Sequence, residues 1–171
     1  MIVEGMRLPS IALAATNGET VDLSAVAGIV VVYVYPRTSP ADGGAIPGWD
    51  AIPGARGCTA QSCAFRDHHA ALSDAGAQRV FGLSVQSTDY QREAAERLHL
   101  PFPLLSDEDR SLAVALGLPV FEAGGMTLLQ RLTFVAQAGR VVRVLYPIER
   151  PADNAQDVLA WLSQHRGLQR R

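Results

Sequence analysis

The only two cysteines in the chain, Cys58 and Cys63, lie in the segment Cys58-Thr59-Ala60-Gln61-Ser62-Cys63. The spacing is not C-x-x-C, so the usual dithiol redox motif is absent. Two thiols cannot close a tetrahedral zinc site. Adding His68 and His69 matches no zinc spacing, so no metal is expected. What remains is thiol chemistry, and its form depends on the element that carries the pair.

From about Cys58 to Ser73 the pattern is helical. Cys58, Phe65 and Leu72 recur every seven residues and share one face, with Ser62 and His69 beside them. Residues five apart on one helix have Cα atoms roughly 8.6 Å apart and point about 140° apart around the axis. A disulfide tolerates at most about 7 Å. The pair therefore cannot bond while the helix is wound, which suits a bond that forms and breaks rather than a staple. Cys58 falls in the first turn, just after Gly57, where unpaired N–H groups and the helix dipole favour an anion. A cysteine so placed is a candidate thiolate. Cys63, a turn and a half further on, gains little from this, so the asymmetry suggests that Cys58 attacks and Cys63 resolves. The plainer reading, two buried cysteines packing as small apolar residues, stays open at this point.

The elements around the pair can be read in order. Ile11–Thr16 and Thr20–Leu23 flank Asn17-Gly18 as a hairpin. Ile29–Tyr35 is β-branched, aromatic and apolar on both faces, as in a central buried strand, and Pro36 ends it. Arg37–Gly57 is too rich in glycine and proline for a helix or strand. Gln78–Val85 is a strand and Thr88–His99 an amphipathic helix, broken by Pro101 and Pro103. Leu104-Leu105 is a short strand, Asp107–Leu116 a helix closed by Gly117, and Arg131–Ala136 with Val141–Leu145 a second hairpin. Asp153–His165 is a terminal helix with Asp153 as its N-cap. Strands alternating with helices imply an α/β sandwich, and two hairpins among the βα units imply a mixed sheet.

Composition narrows the function classes. The chain has 171 residues, 48% hydrophobic and 19% charged, with formal net charge −2. This fits one domain with a real core. Nothing points to nucleic acid or an anionic membrane as partner. The small basic cluster Gln169-Arg170-Arg171 reads as a frayed tail. No apolar run approaches a membrane span. Met1–Arg7 lacks the basic start of a signal peptide, so a cytoplasmic protein is expected. A reducing compartment disfavours a permanent disulfide, so the two cysteines need another explanation.

Val34-Tyr35-Pro36, followed by Gly57-Cys58-Thr59-x-x-Ser62-Cys63-x-Phe65-Arg66-Asp67, resembles the active-site segment of peroxiredoxins. The nearest subgroup is the Q-type, the bacterioferritin comigratory proteins. Pro101–Asp107, Arg131–Val135 and Val21–Ser24 resemble further family segments in the same order, so the similarity covers nearly the whole chain. The resemblance implies a thioredoxin-like fold in its peroxiredoxin variant, a mixed sheet flanked by helices with an N-terminal hairpin, as a single domain over residues 1–171. It implies a peroxidatic Cys58, a resolving Cys63 and an active-site Arg131. The thiolate would attack a hydroperoxide and become a sulfenic acid, which Cys63 would convert to a disulfide. Thioredoxin or a glutaredoxin-like dithiol would reduce that disulfide. No metal or organic cofactor is implied, and a monomer is expected.

The chain departs from the family motif Pro-x-x-x-Thr-x-x-Cys. Ala55 stands where the threonine belongs, and 21 residues separate Pro36 from Cys58 where the motif has six. Residues 39–56 thus read as an inserted loop. The substrate-pocket candidates are Pro36, Thr38, Gly57 and Trp49: Thr38 folding back to supply the hydroxyl, and Trp49 anchoring the insert as a lid. Arg56 is a lesser candidate for a second positive charge, His68 and His69 are expected to face outward, and Gln86 is a weak candidate to reach the site. A peroxidase is the leading function. The alternatives are a thiol–disulfide oxidoreductase acting on proteins and a non-catalytic binding protein.

Overall fold

The structure is a computed structural model, and it describes residues 1–39 and 46–167. The cluster at 169–171 and part of the insert, including Pro40, Gly43 and Gly44, lie outside the described residues. A seven-stranded mixed sheet has the order β2-β1-β5-β4-β3-β8-β9, formed by β1 (Ala12–Ala15), β2 (Thr20–Asp22), β3 (Ile29–Val34), β4 (Ala77–Ser84), β5 (Leu104–Ser106), β8 (Leu132–Gln137) and β9 (Arg140–Leu145). The central β3 runs parallel to β4 and antiparallel to β8, while β1–β2 is the expected N-terminal hairpin.

The apolar alternation of β3 builds both faces of the sandwich. Val30, Val32 and Val34 point to one face, with Phe81, Leu83, Phe134 and the residues Leu112 and Leu116 of α4 (Ser111–Leu116). Val31, Tyr33 and Tyr35 point to the other, against Phe65 of α1 (Cys58–Asp67), Leu72 of α2 (His69–Asp74) and Val158 of α5 (Asn154–Gln164). Period-2 alternation forces this division. Burial of each such side chain contributes roughly 1.5–3 kcal/mol. Helix α3 (Thr88–Arg97) is capped by Ser87, whose hydroxyl accepts from Tyr90 N at 3.2 Å.

Gly82 of β4 lies opposite Tyr33 in the ladder, and a Cβ there would come within 2.7 Å of the Tyr33 ring. The missing side chain lets that ring stand across the strand. Its hydroxyl then reaches Ser62 on α1.

Several expectations are corrected. The helix of Cys58–Ser73 breaks at His68, whose N–H turns back to Ala64 and Arg66 carbonyls, giving α1 and α2. Helix α4 begins at Ser111, not Asp107: the Asp107 carboxylate accepts from Leu112 N at 3.0 Å and Ala113 N at 2.8 Å, acting as a cap from outside the helix. Asp153 makes no capping hydrogen bond. It sits in a 3-10 turn, Pro151–Asp153, that leads into α5. The insert contains a 3-10 turn at Trp49–Ala51. A hairpin of β6 (Val120–Ala123) and β7 (Met126–Leu129), turning at Gly124-Gly125, stands apart from the main sheet and was not expected. Among the described residues no helix is long and apolar enough to cross a membrane.

Candidate active site

Gly57 caps the N-terminus of α1 at φ +106, a conformation that favours glycine. A Cβ there would meet Pro151 Cγ at 2.8 Å. Gly57 therefore lets α1 begin flush against the 3-10 turn before α5. Cys58 is the first helical residue and is 5% exposed.

Arg131 reaches this thiol from the residue preceding β8. It is 3% exposed, and its Nη2 donates to Cys58 Sγ at 3.1 Å, Ala55 O at 3.0 Å and Arg56 O at 3.1 Å. One nitrogen with two hydrogens serves three acceptors, so at least one hydrogen is shared. Nη1 donates to Gln61 Oε1 at 2.6 Å. Nε has no partner. All the oxygens around the guanidinium are neutral, and no carboxylate pairs with it among the described residues. A buried cation without an anion is costly. A thiolate at Cys58 would supply the missing negative charge.

Behind Arg131 runs a chain of buried polar groups. Gln61 Nε2 donates to Asn154 Oδ1 at 3.0 Å, and Thr133 Oγ1 donates to the same oxygen at 2.6 Å. Arg131 also lines a cavity of about 350 Å³ with Pro53, Gly54, Phe121, Tyr146, Ile148 and Glu149, whose carboxylate makes no ion pair with it. Burial pushes the Tyr33 phenol well above its ordinary value, and likewise that of Tyr35, so neither supplies a charge beside the thiols.

Cys63 is half-buried on the same helix, and both thiols are free. It lies in a different setting, near Arg66 and Arg97. Arg66 pairs with Asp67 at 2.9 Å, and the Asp67 bond first, then Cys63, favours its charged form. Arg97 is bonded to Glu93 at 2.7 Å.

The structure thus brings Cys58, Arg131 and Gly57 together and places Cys63 on the helix they begin. It does not bring in the other pocket candidates. The Thr38 hydroxyl points to Gln86 Oε1 at 3.5 Å, and its carbonyl accepts from Tyr90 OH at 3.0 Å. Among the described residues no hydrogen bond joins Thr38 to Cys58. Gln86, expected at most to reach the site, holds Thr38 instead. Pro36 is buried at the end of β3. Trp49 packs on Phe121, with ring centroids 6.1 Å apart, in a buried cluster with Ala55, Ala123 and Leu128, and is not among the residues lining the cavity. Arg56 contributes its carbonyl. His68 and His69 are half-buried rather than outward, with His68 Nδ1 at the Ala64 carbonyl.

Gln61, Asn154 and Thr133 were missed. One signal existed: Gln61 lies three residues after Cys58 and four before Phe65, so helical spacing puts a polar side chain on the buried face.

Comparison with known proteins identifies the family. The redoxin family profile matches residues 3–159. A chloroplastic peroxiredoxin Q of Sedum lineare is 36% identical over 146 residues, covering 85% of this chain and 69% of that protein. Another from Populus jackii is 36% identical over 144 residues, where the chain spans 59% of the relative's length. Among solved structures, peroxiredoxin Q of Xanthomonas campestris superposes with a TM-score of 0.75 at 26% identity, over 94% of this chain and 97% of that one. The expected thioredoxin-like α/β fold with a mixed sheet holds. The chain belongs to the redoxin family and, within it, to the peroxiredoxin Q group.

Proposed function

We propose that the protein is a thiol-dependent peroxidase in which Cys58 reduces hydrogen peroxide and organic hydroperoxides. The observation that carries this reading is the buried, carboxylate-free Arg131 donating to Cys58 Sγ at 3.1 Å. The thiolate attacks one peroxide oxygen and the O–O bond breaks. The alkoxide or hydroxide takes up a proton and leaves as alcohol or water, and Cys58 becomes a sulfenic acid. Arg131 stabilises the thiolate and can donate to the peroxide oxygens. Cys63 then attacks the sulfenic sulfur, releasing water and forming the intramolecular disulfide. An external dithiol of the thioredoxin or glutaredoxin type restores both thiols by exchange. A study of a Xanthomonas campestris relative names alkyl peroxide reduction as its activity, which supports the organic hydroperoxide class. We take residues 1–171 as one domain acting as a monomer in the cytoplasm, because resolution needs no second subunit.

The test mixes reduced protein with one equivalent of hydrogen peroxide and counts thiols over time. The expected result is loss of both thiols within seconds in the wild type, a fully reduced Cys58→Ser variant, and a Cys63→Ser variant halted at the sulfenic acid. Oxidation no faster than that of free cysteine would overturn the reading in favour of binding or disulfide exchange.

A further inference from the structure

The polar chain behind Arg131 has only one possible direction. A guanidinium can only donate, so Gln61 must present Oε1 to Arg131 and Nε2 to the far side. Asn154 must then present Oδ1, which also receives the Thr133 hydroxyl. Gln61, Asn154 and Thr133 are each at most 1% exposed. The amide of Asn154 is therefore the fixed acceptor on which α1, β8 and α5 converge.

Gln61 lies between Cys58 and Cys63, inside the stretch of α1 that must unwind before the two sulfurs can meet. Unwinding pulls Gln61 Nε2 from Asn154 and Gln61 Oε1 from Arg131. We propose that Asn154 is a positioning residue that sets the balance between peroxide reduction and resolution. Through Gln61 it holds Arg131 against Cys58 for the first step, and through the same bond it delays the unwinding needed for the second.

This proposal rests on the peroxidase reading above. The sulfenic acid of Cys58 has two fates. Attack by the Cys63 thiol forms the S–S bond and releases water. Attack on a second hydroperoxide transfers one oxygen to sulfur, giving the sulfinic acid and an alcohol or water. The longer α1 stays wound, the more of the second outcome occurs. Asn154 therefore favours fast peroxide reduction at the cost of greater exposure to over-oxidation.

The experiment compares full-length wild type with Asn154→Leu, which removes the acceptor at similar volume, and Asn154→Asp, which keeps it. Each reduced protein is mixed with hydrogen peroxide. Three quantities are read: the rate of peroxide consumption, the rate of disulfide formation, and the peroxide concentration that converts half of Cys58 to sulfinic acid. In Asn154→Leu, disulfide formation should rise about tenfold and the sulfinic midpoint should rise with it, while peroxide consumption falls severalfold. Asn154→Asp should return disulfide formation to within about twofold of wild type. A merely structural role would lower all rates together and would not raise the sulfinic midpoint. Unchanged or slower disulfide formation in a folded Asn154→Leu protein would overturn the proposal. Should that variant not fold, Thr133→Val removes one of the two donors to the same oxygen and should shift both readouts in the same direction by a smaller factor; no shift would equally overturn it. Amide hydrogen exchange at Gln61–Cys63 of the reduced proteins separates this proposal from the peroxidase reading. Protection should fall about tenfold in Asn154→Leu whether or not the protein turns over, and equal protection would overturn the clamp.

Discussion

The two halves of α1 are held by different physics. Its entry end, Gly57–Gln61, is fixed by directional polar contacts: Arg131 to Cys58 and Gln61, and Gln61 to Asn154. Its middle is fixed by an aromatic stack. The Phe65 ring lies on Tyr33 with centroids 4.5 Å apart and planes 6° from parallel, and the Tyr33 hydroxyl donates to Ser62 at 3.0 Å. Hydrogen bonds lose their value with small displacements, whereas stacking and apolar burial tolerate them. A helix held this way presents its first turn with high geometric precision. If α1 unwinds as proposed, this contrast predicts that it does so from the entry end while Phe65 remains seated.

The largest test of this contrast is chemical. Cys58→Ser should abolish peroxide consumption, while Cys63→Ser should keep the first turnover, as seen by thiol counting. Equal loss in both would erase the distinction between the two positions. Next, Arg131→Met should lower kcat/KM for peroxide by about 10²- to 10³-fold, the usual cost of one lost donor to a developing anion. The rate at which preformed disulfide is reduced by dithiothreitol should change little. Gly57→Ala forces a side chain into the left-handed region and onto Pro151, costing about 1–3 kcal/mol in denaturant unfolding. Its effect on peroxide consumption should exceed its effect on disulfide reduction, because the entry end alone is displaced. The smallest effect is expected from Tyr33→Phe. It leaves the stack intact and removes one buried hydrogen bond, for about 1 kcal/mol of stability. Peroxide consumption within twofold of wild type would show that the middle of the helix is an anchor only.

What could be read in advance divides along the same line. The β3 strand was legible because seven consecutive apolar residues leave few alternatives. The start of α1 was legible because Gly57 and the Cys58–Phe65–Leu72 spacing are local signals. The hairpin β6–β7 was not, since Val120–Ala123 and Met126–Leu129 alternate only weakly and pair with each other rather than with the sheet. The fate of Thr38 depended on Gln86 and Tyr90, far away in sequence. The polar chain through Asn154 joins residues 93 apart, and no short-range pattern reports such a bond. Arg131 was found through the resemblance alone, since an isolated arginine ahead of a strand has no intrinsic signature.

Trp49 gives the insert an optical consequence. The chain holds two tryptophans. Trp161 stacks on His165 at the far end of α5, with ring centroids 4.2 Å apart. Trp49 is buried against Phe121 and Ala55, and the Ala55 carbonyl is bound by Arg131. A Trp161→Phe protein would therefore carry a single indole, one residue's packing and two hydrogen bonds through Arg131 away from the Cys58 thiol. Its emission would follow the redox state of Cys58 in real time, without any added dye.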